Sequence, residues 1–238
     1  MTDKRFNKKF FIGIAVAFLL PLSFYLIAKA LRKDQINMPG YFLADRVDTV
    51  ILEGKTRYDT VFHQVHDLEL TNQFGELVSL NSDLRGKILV INFFFTACPS
   101  VCPKLTDNIR MLQNAFRKDP KKEFKVGDSI HFVSITVDPV RDAFQVLRRY
   151  ADKFGVDHDS WSFLTGDKHK IYQYARKELR VATPSGDGGA DDFIHSEKII
   201  VLDRNRFIRG YYDGLDTAAI KKCADDIVLL TMEKNRKK

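Results

Sequence analysis

The sequence predicts an α/β protein, a mixed central sheet flanked by helices. Three observations predict it. Lys87–Phe95 and His131–Val137 are apolar at nearly every position, as strands covered on both faces must be. Between them Leu105, Ile109, Leu112 and Phe116 recur at helical spacing, so a β-α-β unit with parallel strands and a crossover is required. Later, Lys198–Leu202 and Phe207–Tyr212 flank Asp203-Arg204-Asn205-Arg206, a hairpin signal that adds antiparallel strands.

Taken in order, residues 1–9 are a basic N-terminus, and Phe10–Ala28 follows as nineteen residues without a charge. At 1.5 Å per residue that run spans roughly 28 Å, close to a bilayer's hydrocarbon thickness. Pro21 in its middle kinks a membrane helix without forbidding it. A cleaved signal peptide is the rival reading. The run exceeds the usual apolar region of ~7–15 residues, and Ala28-Lys29-Ala30 puts a Lys in the would-be cleavage motif, so an uncleaved anchor is favoured. Four bases in the first nine residues place the N-terminus in the cytoplasm and the body outside. So short a leader leaves no room for an organelle transit peptide. The expectation is a single-pass protein of a bacterial inner membrane, its C-terminal domain periplasmic.

Residues 29–60, broken by Pro39-Gly40 and Gly54, read as a linker with one short strand at most. The folded domain is expected over 61–233. It opens with a β-rich run at Val61–Leu70, a turn at Asn72–Gly75 and a returning strand at Leu77–Leu80. After the β-α-β unit come a helix at Arg141–Phe154, a short strand at Trp161–Leu164 and a helix at His169–Leu179. Pro184–Asp192 is a polar, Gly-rich loop, and after the late hairpin Thr217–Met232 closes the domain as a helix. Residues 234–238 form a basic tail, read as a solvated helix end.

Composition excludes several classes. With 45% hydrophobic and 29% charged residues, the 238-residue chain is neither disordered nor polytopic. Its net charge of +7 resembles a nucleic-acid signal until it is mapped. Residues 1–33 hold +6 and the last five hold +4, which leaves the body at −3. The basicity belongs to the two ends, and no nucleic-acid partner is expected.

The chemistry concentrates at two of three cysteines. Cys98 and Cys102 lie in Thr96-Ala97-Cys98-Pro99-Ser100-Val101-Cys102-Pro103, at the carboxyl edge of the most apolar strand, where open α/β sheets place their sites. Pro103 suits a first helical position, which makes Cys102 the expected N-cap and leaves Cys98 in the loop. A helix N-terminus favours thiolate. Two such sulfurs can reach one soft ion or close a disulfide. Closing so short a loop gains little stability, which favours function over a staple. Cys223, beside Ala224 in the last helix, reads as a core thiol.

Among six histidines His195 is the best ligand candidate, since it enters the strand at Lys198 from the Gly-rich loop. A His/Cys/Cys set suits copper(I), with zinc open if a fourth ligand appears. His63 and His66 lie in a strand-like region, where they are expected to face opposite sides and share no ion. His131, His158 and His169 read as structural or solvent-exposed. Asp138, after the His131–Val137 strand, reads either as a support for the site or as a helix cap, and Asp142 likewise as a helix-start carboxylate. No nucleotide Gly motif and no HExxH occurs.

With those blocks assembled, the chain resembles the Sco/SenC family: membrane-anchored, thioredoxin-like copper chaperones for cytochrome c oxidase assembly. The resemblance covers roughly Val61 to Glu233. It rests on Phe94–Cys98-Pro99 with Val101-Cys102-Pro103, then Thr136–Asp142, then Ile194-His195-Ser196, in that order. It implies that Cys98, Cys102 and His195 bind one copper, Cu(I) or Cu(II), that Asp138 supports the site, and that the copper-bearing oxidase subunit is the recipient. A thiol reductase is a further implied partner for the Cys98/Cys102 redox pair. Ser100 stands where the family often has Asp, which puts copper(II) affinity or the partner surface in question. The alternative is an extracytoplasmic thiol–disulfide oxidoreductase acting on a partner's cysteines.

Overall fold

The computed structural model describes residues 8–31, 38–52, 55–117, 126–181 and 196–233. Two compact units, residues 1–37 and 38–238, are each taken by themselves. In the first, α1 (Lys8–Leu31) runs unbroken through Pro21. Its segment Phe10–Ile27 has a mean hydropathy of 2.4 and is long and apolar enough to cross a membrane. Apolar side chains lie on every side of it, with no water-facing stripe.

The second unit begins with a surprise. The stretch expected as a linker carries a long antiparallel hairpin of β1 (Ala44–Leu52) and β2 (Lys55–Phe62). Cross-strand pairs such as Val47 with Thr60 and Thr49 with Tyr58 hold it together. Val47, Ile51 and Tyr58 are exposed, so no buried face imposes the period-2 pattern by which a strand is recognised. The expected hairpin around Asn72 is present but short, with β3 (Glu69–Thr71) against β4 (Leu77–Ser79). The Asn72 side-chain oxygen closes its turn by accepting the N–H groups of Phe74 and Glu76 at 2.9 and 3.0 Å.

The expected mixed sheet is present. Its strands are β5 (Ile88–Phe94), β6 (Ile130–Thr136), β7 (Trp161–Leu164), β8 (Lys198–Leu202) and β9 (Ile208–Asp213). They lie side by side in the order β7-β6-β5-β8-β9. β6 runs parallel to both β5 and β7, and β8 is antiparallel to both its neighbours. Every residue of β5, β6 and β7 is buried, which accounts for their continuous apolar runs.

Alternation splits β5 between two cores. Leu89, Ile91 and Phe93 join Leu70, Leu80, Ile171, Tyr172 and Leu179 on one face. Ile88, Val90 and Phe94 join α2 (Val101–Ala115), α3 (Phe144–Phe154) and α5 (Thr217–Met232) on the other. Each fully buried Leu, Ile or Phe contributes about 1.5–3 kcal/mol relative to exposure. The one polar residue of β5, Asn92, is matched there at its oxygen alone: Ser134 Oγ donates to its Oδ1 at 2.6 Å and accepts from Trp161 Nε1 at 2.9 Å, while its buried Nδ2 finds no hydrogen-bond partner among the described residues.

α3 buries Leu147, Tyr150 and Ala151, a three–four spacing, and ends at Gly155 in the left-handed region at φ 59°. The run expected as one helix over 169–179 is α4 (Lys168–Gln173) followed by a π-helical turn, Tyr174–Glu178. In the last hairpin Arg206, at φ 67°, turns its guanidinium inward. There it donates to the carbonyls of Leu80, Leu84 and Lys87 at 2.6, 2.6 and 2.9 Å, tying the hairpin to the chain that enters β5.

Candidate metal centre

The site is built where β5 leaves the sheet. Thr96 follows the strand, and both its N–H, at 3.1 Å, and its hydroxyl donate to the Asp142 carboxylate. Thr136, at the end of β6, donates its hydroxyl to the same carboxylate at 2.5 Å. Asp142 is 0% exposed, so this acid is a buried clamp joining two parallel strand ends, not a helix-start carboxylate. It fixes the backbone two residues ahead of Cys98.

Asp138 contributes through its backbone. Its N–H donates to Thr136 Oγ1 at 3.1 Å, and its carbonyl accepts the N–H groups of Arg141 and Asp142 at 3.1 and 2.9 Å. Its carboxylate faces Arg141 Nε at 3.5 Å. Asp138 thus shapes the turn that delivers Asp142.

The helix start differs from the expected one. α2 begins at Val101 with Ser100 as its N-cap, so Cys102 lies inside the first turn and Pro103 at its third position. Pro is harmless there, because the first four amides of a helix have no intrahelical acceptor. For the same reason the Cys102 N–H is available, and it donates to Cys98 Sγ at 3.3 Å. Both thiols are free.

The two sulfurs titrate in opposite directions. Burial disfavours the Cys98 thiolate, but the N–H groups of Cys102, Ser100 and Val101, with the Cys102 thiol, outweigh it and bring the pKa below the ordinary 9.0. Burial, then the negative neighbours Cys98 and Asp142, push Cys102 up to about 12 against a lowering backbone hydrogen bond from Phe95. The outer sulfur is therefore the more readily ionised of the two.

A cavity of about 500 Å³ opens over the pair, with Phe95, Val137, Val181 and Ser196 among its walls. His195 lies outside the described residues. Val181 and Ser196, which bound the segment 182–195, both line the cavity. Cys223 is fully buried on α5's core face, and burial pushes it up to about 12. His131 is also internal, 2.8 Å from Ser162 Oγ, its pKa lowered to about 4 by burial and then by Lys87.

One expectation is overturned. His63 and His66 do not face opposite sides: both reach Glu178 Oε2, at 3.0 and 2.9 Å. β2 ends at Phe62, so the two histidines sit on irregular chain where strand alternation does not apply. The buried clamp of Thr96, Thr136 and Asp142 was missed for a different reason. The only available signal was an acid shortly after a strand that ends in Thr, and that pattern equally describes a helix cap.

The SCO1/SenC family model matches residues 57–230. A SCO1 protein homolog of Bacillus subtilis (strain 168) is 25% identical over 175 residues, which covers 73% of this chain and 86% of the relative. BsSco, described as a Sco-family cytochrome c oxidase assembly protein with a disulfide switch, is 25% identical and superposes with a TM-score of 0.59, covering 72% of this chain and 95% of its own. Bradyrhizobium japonicum ScoI, solved with copper bound, is 26% identical with a TM-score of 0.53 over 69% of this chain and 98% of its own. A family match over most of the sequence, on a thioredoxin-like mixed sheet, places the chain in the SCO1/SenC family.

Proposed function

We propose that this protein is a membrane-anchored copper chaperone that carries one copper ion on Cys98, Cys102 and His195 and delivers it for cytochrome c oxidase assembly. The observation that carries the reading is the dithiol itself: two free sulfurs, one favoured as thiolate, on one cavity whose wall includes the residue after His195. Two thiol sulfurs and an imidazole are soft to borderline donors, the set that suits copper(I). The donors fit the ion. Copper in the Bradyrhizobium relative and the assembly role of BsSco support the same assignment.

Copper is the cargo. Cys98, the more readily ionised sulfur, binds first, and Cys102 loses its proton as the ion arrives. A cavity of about 500 Å³ leaves room for a thiolate or imidazole of the copper-bearing oxidase subunit to enter and displace one ligand at a time. Oxidation of the pair to a disulfide, with two electrons passing to an acceptor, removes both sulfur ligands, and a thiol reductase restores them. α1 supplies the anchor, with the folded unit on the periplasmic side of a bacterial inner membrane.

Anaerobic copper(I) titration of the reduced full chain in detergent tests this. One equivalent is expected to bind, to be lost in Cys98→Ser, and to be held at least tenfold more weakly in His195→Ala. Unchanged binding in both variants overturns the proposal. A second reading, a thiol–disulfide oxidoreductase, draws on the opposed shifts of the two thiols, an outer nucleophile over an inner partner. Reduction of a disulfide substrate that persists in His195→Ala without copper favours it.

A further inference from the structure

Away from the cysteine rim, three side chains from two distant stretches of chain converge on one point. His63 follows β2 directly, His66 comes shortly after it, and Glu178 ends the π-helical turn. One ligand atom from each lies within 4.8 Å of the other two. We propose that His63, His66 and Glu178 form a second metal site, for a divalent cation of the zinc or copper(II) class, separate from the thiol pair.

The donor set selects that class. Two imidazoles and one carboxylate are borderline-hard ligands, poorly matched to copper(I) and too rich in nitrogen for calcium or magnesium. Three protein ligands leave a further position for water or an incoming group. With Asp45 nearby, the two carboxylates balance a divalent charge.

The surroundings favour ligation over chance contact. Asp45 Oδ1 lies 3.0 Å from His63 Nδ1, on the side of the ring away from Glu178. That is the carboxylate–imidazole pairing that fixes a ligand's tautomer and leaves Nε2 for the ion. Glu178 is held from behind, accepting the His66 backbone N–H at 3.0 Å. Burial raises its pKa, but that N–H and the two rings outweigh burial and keep the carboxyl ionised below its ordinary range.

The backbone at Glu178 is also unusual. Leu179 N–H reaches back to the Tyr174 carbonyl at 3.0 Å, and Arg180 takes φ 47°. π-helical turns concentrate at functional sites, where they re-aim a side chain out of helical register.

A hydrogen-bonded cluster is the competing account, and spacing separates the two. Ring nitrogens now lie 2.9–3.0 Å from the Glu178 oxygen. Around a tetrahedral zinc with bonds of ~2.0–2.1 Å, ligand atoms sit about 3.3–3.4 Å apart. The two nitrogen–oxygen separations must open by about 0.4 Å. His66, with 78% of its side chain exposed, is free to swing by that amount.

The test uses the full chain in detergent with Cys98→Ser and Cys102→Ser, so that the thiol pair is absent and its own fate is irrelevant. Calorimetric titration with zinc ion alone is expected to give one equivalent. His66→Ala and Glu178→Gln are each expected to weaken that binding at least tenfold. Copper(II) at the same site is expected to show imidazole nitrogen coupling in its electron paramagnetic resonance spectrum, reduced in His63→Ala. His66 is exposed, so His66→Ala keeps the fold, and His66→Gln gives a polar duplicate. No zinc equivalent, or an equivalent indifferent to His66→Ala and His66→Gln, overturns the site.

Discussion

The molecule carries two clusters of donor side chains, and they are built in opposite ways. Cys98 and Cys102 are near neighbours in sequence, set at the end of a fully buried strand and clamped through Thr96 to a buried Asp142. His63 and Glu178 are 115 residues apart, on irregular and π-helical chain, and one partner, His66, is largely solvent-exposed. A site on the rigid edge has its geometry set by the core beneath it. A site assembled from loops depends on contacts among its own members.

That contrast predicts a graded set of responses. The largest is at the clamp. Asp142→Ala leaves the Thr96 amide, the Thr96 hydroxyl and the Thr136 hydroxyl without their acceptor, and orphaned buried donors cost about 1–3 kcal/mol each. A loss of about 3 kcal/mol is expected in denaturant unfolding, with weaker copper retention. A loss below about 0.5 kcal/mol would remove the clamp from the account.

Next comes reactivity. With Cys98 lowered and Cys102 at about 12, native alkylation at neutral pH is expected to modify Cys98 at least ~100-fold faster than Cys102 or Cys223, as read by mass spectrometry. Equal rates would contradict the assigned roles of the two sulfurs.

A smaller effect concerns alkaline pH. Cys223 is raised from 9.0 to about 12 in the fold, so its contribution is full below pH 9 and is lost as pH rises toward 12. Between pH 8 and 10 it removes about 1.4 kcal/mol of stability, and Cys223→Ala is expected to flatten that part of the pH profile. The smallest response is at the loop cluster without metal. His66→Ala is expected to change stability by less than about 1 kcal/mol, since a pair exposed on one side contributes little.

The same contrast explains what the sequence disclosed. The sheet was legible because β5 and β6 bury every residue, and burial leaves an unbroken apolar run. The cysteine loop was legible because its members are adjacent in sequence and follow such a run. The β1–β2 hairpin was not, since both its faces meet solvent and Val47, Ile51 and Tyr58 obey no burial period. The His63–His66 pairing was hidden by an alternation rule applied one residue beyond the end of β2. Asp142 was visible as an acid near a helix start. Its buried clamp depends on Thr136, six residues before it, and on Thr96, 46 residues away after another strand, which no local window contains.

X-ray absorption at the copper edge of the copper(I)-loaded full chain tests the central claim most directly. Two sulfur neighbours and one imidazole are expected around the metal, with the imidazole signature absent in His195→Ala and one sulfur lost in Cys102→Ser. An unchanged imidazole signature in His195→Ala, or a first shell without sulfur in the unaltered chain, contradicts the account.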